Sequence, residues 1–343
     1  MIKTLQVHKF RSHAFCSVPF SKGMFAIVGP NGIGKTNLLE AITVATLGRS
    51  FRTDSFKEML QEGAEDSQIL LGFEEDGVDH EIGYRFGTNG KQIRLNGTFH
   101  KSFSPLLGHI PVGIVSSKDV VLIEGGPSFR RKYLNQILCQ SSKEYAFHWK
   151  RYMDALEQKN AALKVHALKA LTPFEEILGS SAQVIQKMRS DLLDELNFFL
   201  KMENSLLLQK NESVRLEYIP SFIDDSPSSR HKEIERRTTL KGPHREDFSI
   251  LFKEKEAYCH ASEGQKRALV LALRFAELKA LEKKTRKTPL LLIDDFGAHL
   301  DKIRFDQLLE RTLELPQSIL TVPHPIAKAS TIFSLEEFSI LSS

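Results

Sequence analysis

Apolar positions along this chain follow first a strand period, then a long helical one, then a mixture of both. Ile2 to Val7 and Cys16 to Phe20 read as short strands on either side of a basic turn, HKFRSH. Met24 to Val28 is continuously apolar, as a strand buried on both faces would be. Thr36 to Leu47 then carries Leu38, Leu39, Ile42 and Ala45 at helical spacing. From Gln68 to Phe99, short alternating pieces separated by EEDG, GTNG and LNG predict the hairpins of an antiparallel sheet. Ile110 to Val115 adds another strand.

Residues 128 to 210 change period. Tyr133, Leu134, Ile137 and Leu138 repeat at helical spacing, as do Met153, Leu156 and Leu163. Val184, Ile185, Met188, Leu192, Leu193, Leu196 and Phe199 continue the pattern. Thr172-Pro173 and Leu178-Gly179-Ser180 predict breaks, so the stretch reads as a compact helical lobe or short paired arms. SFIDDSPSSRHKEIE, at 221 to 235, reads as a polar passage. Strand-like Phe248 to Phe252 and Ala257 to His260 follow, then a long helix from Ser262 to Leu281. Pro289 to Ile293 and Ile319 to Val322 are apolar strands. The expectation is an α/β fold whose first lobe uses residues 1–120 and 236–343, around an inserted helical lobe at 121–235.

The sharpest chemistry is GPNGIGKT, Gly29 to Thr36, which fits G-x-x-x-x-G-K-[ST]. Gly29, Gly32 and Gly34 let the backbone curl and turn N–H groups inward, with Pro30, Asn31 and Ile33 completing the loop and Asn37 following it. Lys35 brings a cation to the terminal phosphates of a nucleotide, and Thr36 offers a hydroxyl to magnesium. An apolar strand before the loop and a helix after it place phosphate at a helix N-terminus.

PLLLIDDFGAHLD supplies carboxylates. Asp294 and Asp295 follow an apolar strand at its carboxyl end, where α/β sites open. Asp294 is assigned to magnesium, directly or through water, and Asp295 to orienting the attacking water. ATP with Mg2+ is therefore the expected substrate and ion. In ASEGQKRALVL, Ser262 opens a helix, Gly264 allows close approach and Gln265 adds an amide. Two readings stay open there: an ordinary capped helix, or a phosphate contact that each protomer offers to its partner's nucleotide.

Cations gather in three places. Arg49, Arg52 and Lys57 follow the first helix, where a solvated loop and a phosphate or DNA contact both fit. Arg130, Arg131 and Lys132 sit in the first turns of a helix and oppose its dipole, which calls for an anionic partner or an acidic neighbour. Lys150 and Arg151 complete the candidates for backbone phosphate.

Composition narrows this only a little. The chain has 343 residues, 41% hydrophobic and 26% charged, which is globular and long enough for more than one lobe. A formal charge of +4 permits nucleic acid without arguing for it. Cys16, Cys139 and Cys259 are far apart and fit a reducing compartment. No apolar run is long enough to span a bilayer, so a cytoplasmic protein without membrane association is expected.

Taken in order, Phe10-Arg11, GPNGIGKTNLLEAI, GRSFRT at 48 to 53, GGPSFRRKYLN at 125 to 135, GPHRED at 242 to 247, SEGQKR at 262 to 267 and LLLIDDFGAHLD at 290 to 301 form a specific set. They resemble the RecF family of bacterial recombination and repair ATPases, related to the ATP-binding-cassette heads of SMC-type proteins. The likeness runs almost end to end. It implies a P-loop NTPase fold of the ABC/SMC-head type, with an antiparallel β subdomain and an inserted helical lobe. It also implies that Arg11 lies near the nucleotide and that Asp294 is the Walker B carboxylate. Ser262, Gly264 and Gln265 look like the signature that completes a partner's site, and Ala298 to Asp301 resembles the D-loop. By the same likeness the protein is a weak, DNA-stimulated ATPase and an ATP-dependent homodimer that clamps double-stranded and gapped DNA. Its partners would be RecR and RecO, in repair of gaps and stalled forks.

Four departures stand out. Glu263 replaces the signature glycine, and Asp295 the glutamate of transporter cassettes. Ala298-His299 replaces a Ser-Glu pair, and Ser117-Lys118 a proline and an acidic residue. His324, between Pro323 and Pro325, lies where a switch histidine would be sought; a rigid loop is the other reading. A transporter's ATP-binding subunit would carry a much shorter insertion, and a structural SMC organiser longer arms. A small-molecule kinase is poorly served by Asp295 placed for water.

Overall fold

The computed structural model describes residues 1–88, 90–207, 212–222, 226–297 and 300–335. The chain divides into two compact units, Met1–Asp119 with Leu281–Ser343, and Val120–Ala280. The expected return to the first lobe at residue 236 is therefore shifted: residues 236–280, Ser262 among them, pack with the inserted lobe.

In the first unit the chain runs through β1 (Ile2–Phe10), β2 (His13–Pro19), β3 (Gly23–Val28) and α1 (Lys35–Leu47). It continues through β4 (Asp66–Glu75), β5 (Val78–Gly87), β6 (Gly90–Leu95), β7 (Thr98–His100) and β8 (Val112–Val115). The second unit holds α2 (Val121–Glu124), α3 (Pro127–Ser141), α4 (Lys143–Lys164) and α5 (Thr172–Leu207). Then come β9 (Val214–Ile219), α6 (Pro227–Arg236), β10 (Asp247–Phe252), β11 (Lys255–Glu256) and α7 (Ala257–His260). α8 (Glu263–Thr285) begins in the second unit and ends in the first, which closes with β12 (Leu290–Ile293), α9 (Lys302–Leu313), β13 (Gln317–Val322) and β14 (Thr331–Ser334).

Two sheets build the first unit. The antiparallel one is six-stranded, ordered β2-β1-β4-β5-β6-β7. Its alternation is clean in β4, where Ser67, Ile69, Leu71 and Phe73 are buried. The parallel one is five-stranded, ordered β14-β3-β13-β12-β8. Every residue of its inner strands β12 and β13 is buried because neither face meets water; β12 is wholly apolar, while β13 also carries Gln317, Ser318 and Thr321. Gln317 ties the two sheets together. Its amide oxygen accepts from Ile2 N at 2.8 Å, while its nitrogen donates to Ile2 O at 2.8 Å and Ser21 O at 3.0 Å.

Several local expectations change. α5 runs straight through Leu178-Gly179-Ser180. Gly179 costs a helix only about 1 kcal/mol, and buried Leu178, Ala182 and Ile185 hold that turn against its neighbours. Ala257–His260 is a helical turn rather than a strand, and within the polar passage Pro227–Arg236 is helical, with Ser226 as its N-cap.

The second unit has a buried polar centre. The wholly buried Arg189 donates to Glu246 Oε2 and Pro243 O, both at 2.7 Å, to Asn135 Oδ1 at 2.7 Å and to Tyr145 Oη at 3.0 Å. One guanidinium thus joins α3, α4, α5 and the turn before β10. Arg189→Ala strands the Glu246 carboxylate without its counter-charge and is expected to cost about 3–5 kcal/mol. Urea unfolding checks this, and Arg189→Lys should recover only part because lysine lacks the planar fork.

Candidate nucleotide site

β3 delivers the chain into Gly29–Thr36, and α1 leaves from it at Lys35. Gly34 has φ of 105°, and a Cβ there would lie 2.6 Å from both His13 Nε2 and Ser12 Oγ, so only glycine fits. Lys35 is buried and folds back into the loop, donating from Nζ to Gly29 O at 2.7 Å and Pro30 O at 2.9 Å. Burial lowers its pKa, with Asp295 and Asp294 acting in the opposite direction. An ammonium poorly hydrated in this way is suited to anionic oxygens.

Asp294 and Asp295 arrive at the carboxyl end of β12. Thr36 Oγ1 donates to Asp294 Oδ1 at 2.7 Å across 258 residues of sequence. Thr321, from the strand between β3 and β12, holds the Asp294 carboxylate and the Asp295 backbone: its hydroxyl donates to Asp294 Oδ1 at 2.9 Å and accepts from Asp295 N at 2.8 Å. Burial raises the Asp294 pKa, the hydrogen bonds from Thr36 and Thr321 oppose that, and the Asp295 charge adds to it. Asp295 itself is exposed, in the left-handed region at φ 55°. Among the described residues, no group of three or more His, Cys, Asp or Glu side chains could hold a metal. A hydroxyl and one carboxylate 2.7 Å apart nevertheless fit magnesium, which takes few protein ligands and completes its shell with phosphate and water.

Glu40 organises the flank of the loop, and the sequence reading passed over it. It is wholly buried in α1 and accepts from Arg11 Nε at 2.9 Å, Arg11 Nη2 at 2.6 Å and Ser50 Oγ at 2.5 Å. Arg52 Nη1 adds a longer bond to it at 3.2 Å and another to Asn37 Oδ1 at 2.8 Å. The available signal was a lone carboxylate inside the apolar run LLEAI, which needs a partner. Arg11 is thereby fixed beside the loop. Arg52 is engaged there too, although it stays exposed. Arg49 is half-buried and Lys57 exposed.

Most of the remaining candidates fall in the second unit, while Asp301 and His324 belong to the first. Ser262 and Gln265 form a reciprocal capping box: Ser262 N donates to Gln265 Oε1 at 2.9 Å, and Gln265 N to Ser262 Oγ at 3.3 Å. Gly264 follows half-exposed in the first turn of α8. Arg130 meets the acidic neighbour that the sequence left open, donating to Asp247 Oδ1 at 2.7 Å and Oδ2 at 2.8 Å. Its charge is balanced inside the fold, and the phosphate contact expected of it is withdrawn. Arg131 is half-buried against Glu246 O, Lys132 is half-buried, and Lys150 and Arg151 are exposed on α4. His324 is exposed between its prolines. Of the D-loop stretch, Ala298 and His299 lie outside the described residues, while Asp301 caps α9 by accepting from Arg304 N at 2.9 Å. No helix among the described residues is long and apolar enough to cross a membrane.

Residues 1–322 match the family described as RecF/RecN/SMC N terminal domain. The chain is 34% identical to the DNA replication and repair protein RecF of Chlamydia caviae, covering 99% of this chain and 97% of that one. RecF of Protochlamydia amoebophila is 32% identical with 94% of each chain covered. A solved recombination mediator protein RecF with ATP, of the RecFOR pathway, superposes with TM-score 0.89 at 31% identity, over 97% of this chain and 95% of that one. An SMC head bound to the C-winged helix domain of ScpA gives TM-score 0.56 at 20% identity over 97% and 94%, a likeness of fold alone.

The Asp294 environment sets a sign that can be measured. Its folded pKa is raised, so ionising it costs stability as pH climbs past the unfolded aspartate value. Asp294→Asn keeps an oxygen for both threonines and removes that cost. The variant is expected to melt at least as high as the parent at about pH 7, with the gap closing toward about pH 4. A variant that melts lower at neutral pH would mean the carboxylate is not destabilised by burial.

Proposed function

The chain belongs to the RecF family, within the wider RecF/RecN/SMC N-terminal domain family, and from that premise we propose that it is an ATP-dependent DNA clamp of recombinational repair. Its fold is the α/β P-loop NTPase fold of ABC and SMC heads, with an antiparallel β subdomain and a helical lobe. The observation that carries the reading is the Thr36–Asp294 hydrogen bond of 2.7 Å, which brings a phosphate loop and a carboxylate to one point.

The nucleotide's phosphates lie against the loop of Gly29 to Thr36, facing the N–H groups of Asn31 to Thr36 at the start of α1, with Lys35 leaving its two carbonyls for the terminal oxygens. Thr36 and Asp294 hold magnesium, which when bound neutralises charge on the phosphates. Asp295, exposed beside them, orients the attacking water. Aspartate has a shorter reach than glutamate, which suits slow hydrolysis that times release. Two protomers close face to face on ATP, each presenting its Ser262–Gln265 helix start to the other's nucleotide. The closed pair holds double-stranded or gapped DNA through backbone phosphate, with Arg49, Lys57, Lys150 and Arg151 as contacts. It acts with RecR and RecO in the cytoplasm to support recombinase loading.

Sizing the protein with ATP, with ADP and without nucleotide, in the presence and absence of gapped duplex, tests the cycle. A dimer is expected with ATP alone and is lost in Lys35→Arg and in Ser262→Arg. Asp295→Asn should keep the dimer and slow phosphate release by about a hundredfold. Normal dimerisation of Ser262→Arg would remove the shared site, and no ATP uptake by calorimetry would remove the clamp altogether.

A further inference from the structure

Within the second unit, four guanidiniums gather around residues 242–247, but the turn supplies only two carboxylates. Glu246 is taken by Arg189, and Asp247 is held at both oxygens by Arg130. Arg131 Nη1 donates to the main-chain oxygen of Glu246 at 2.7 Å. Asp247 acts on Arg131 from a distance, but among the described residues no carboxylate reaches ion-pair distance of Arg131 or of the exposed Arg245. His244 adds no further positive charge. It is pushed down to about 4 by burial, with Arg245 and Arg131 pressing the same way, and is bonded to Tyr152 Oη at 2.6 Å. Burial also lowers the pKa of Arg131, reinforced by the charges of Arg189, Arg245 and Arg130 and opposed by Asp247.

A guanidinium has five N–H donors, and Arg131 uses one of them on a described partner. Arg131 is bonded to the residue that follows Arg245, and two such cations, one half-buried and both with donors to spare, match an oxyanion with several acceptor oxygens. We propose that Arg131 and Arg245 form a phosphate-binding site on the second unit that takes a backbone phosphate of DNA. The source of the phosphate rests on the DNA-binding reading above; the site itself rests on the uncompensated arginine pair. Arg131 was a candidate from sequence, but Arg245 becomes one only because Glu246 and Asp247, which follow it, are committed to other arginines.

The test measures duplex binding against salt for the full chain with ATP, in Arg131→Gln, Arg245→Gln and the double variant. Each single change is expected to lower the salt slope by about one unit and the pair by about two, with ATP uptake unchanged by calorimetry. Arg245 has no described partner, so its variant separates loss of a phosphate contact from loss of folding. Unaltered slopes in protein that binds duplex would overturn the site and leave the clamp standing. If the parent binds no duplex, the clamp fails and the site is judged by inorganic pyrophosphate. Protection of Arg131 and Arg245 from phenylglyoxal by pyrophosphate would then support a phosphate site serving free anions. Equal modification with and without pyrophosphate would sink it.

Discussion

A hydroxyl on the first turn of α1 and a carboxylate beyond β12 share a hydrogen bond of 2.7 Å, and the chemistry of the first unit depends on that pair staying in place. The two groups come from strands that are not neighbours. β13 lies between them, and Thr321 at its carboxyl end spans the gap by holding Asp294 and the backbone of Asp295 together. A parallel sheet makes this economical. All its strands end on one edge, so a loop, a bridging hydroxyl and a carboxylate pair converge without any one segment carrying the whole site.

Charge is handled differently in the two units. Beside the phosphate loop, one buried carboxylate, Glu40, gathers two arginines and a serine hydroxyl around itself. Lys35 meets carbonyl dipoles in place of a formal counter-charge, and Asp294 is half-buried with two hydroxyls for partners. Each is acceptable in isolation, yet both side chains would gain from an ion of opposite sign. In the second unit Arg189 makes four hydrogen bonds, one of them to Glu246, and welds three helices to one turn. Buried charges of this kind contribute through fixed geometry more than through net stability.

Capping illustrates how a local motif can satisfy a helix start from within the chain. The Ser262–Gln265 box satisfies two N–H groups at the start of α8 from within the chain. The remaining first-turn N–H groups still give that helix start a positive end.

Much of this protein was legible in its letters because the determinants are local. Continuous apolar runs announced buried parallel strands, alternation announced the β4–β6 meander, and Gly34 could be placed by the backbone its loop demands. That Lys35, Thr36 and Asp294 are candidates for chemistry followed from residue type and flanking elements. What the letters left open involves partners distant in sequence. Arg130 looked like a free cation until Asp247 reached it, Arg52 looked outward until Glu40 claimed it, and Thr321 read as an ordinary strand residue until β13 settled between β3 and β12. The boundary at 280 rather than 236 was hidden for a related reason: one helix serves both units, and only packing decides where along it the allegiance changes. Local periodicity and stereochemistry determined which elements form and which residues could do chemistry. The pairing of charges and the lines of contact required the folded chain, because a charge's role depends on what stands within a few ångströms of it.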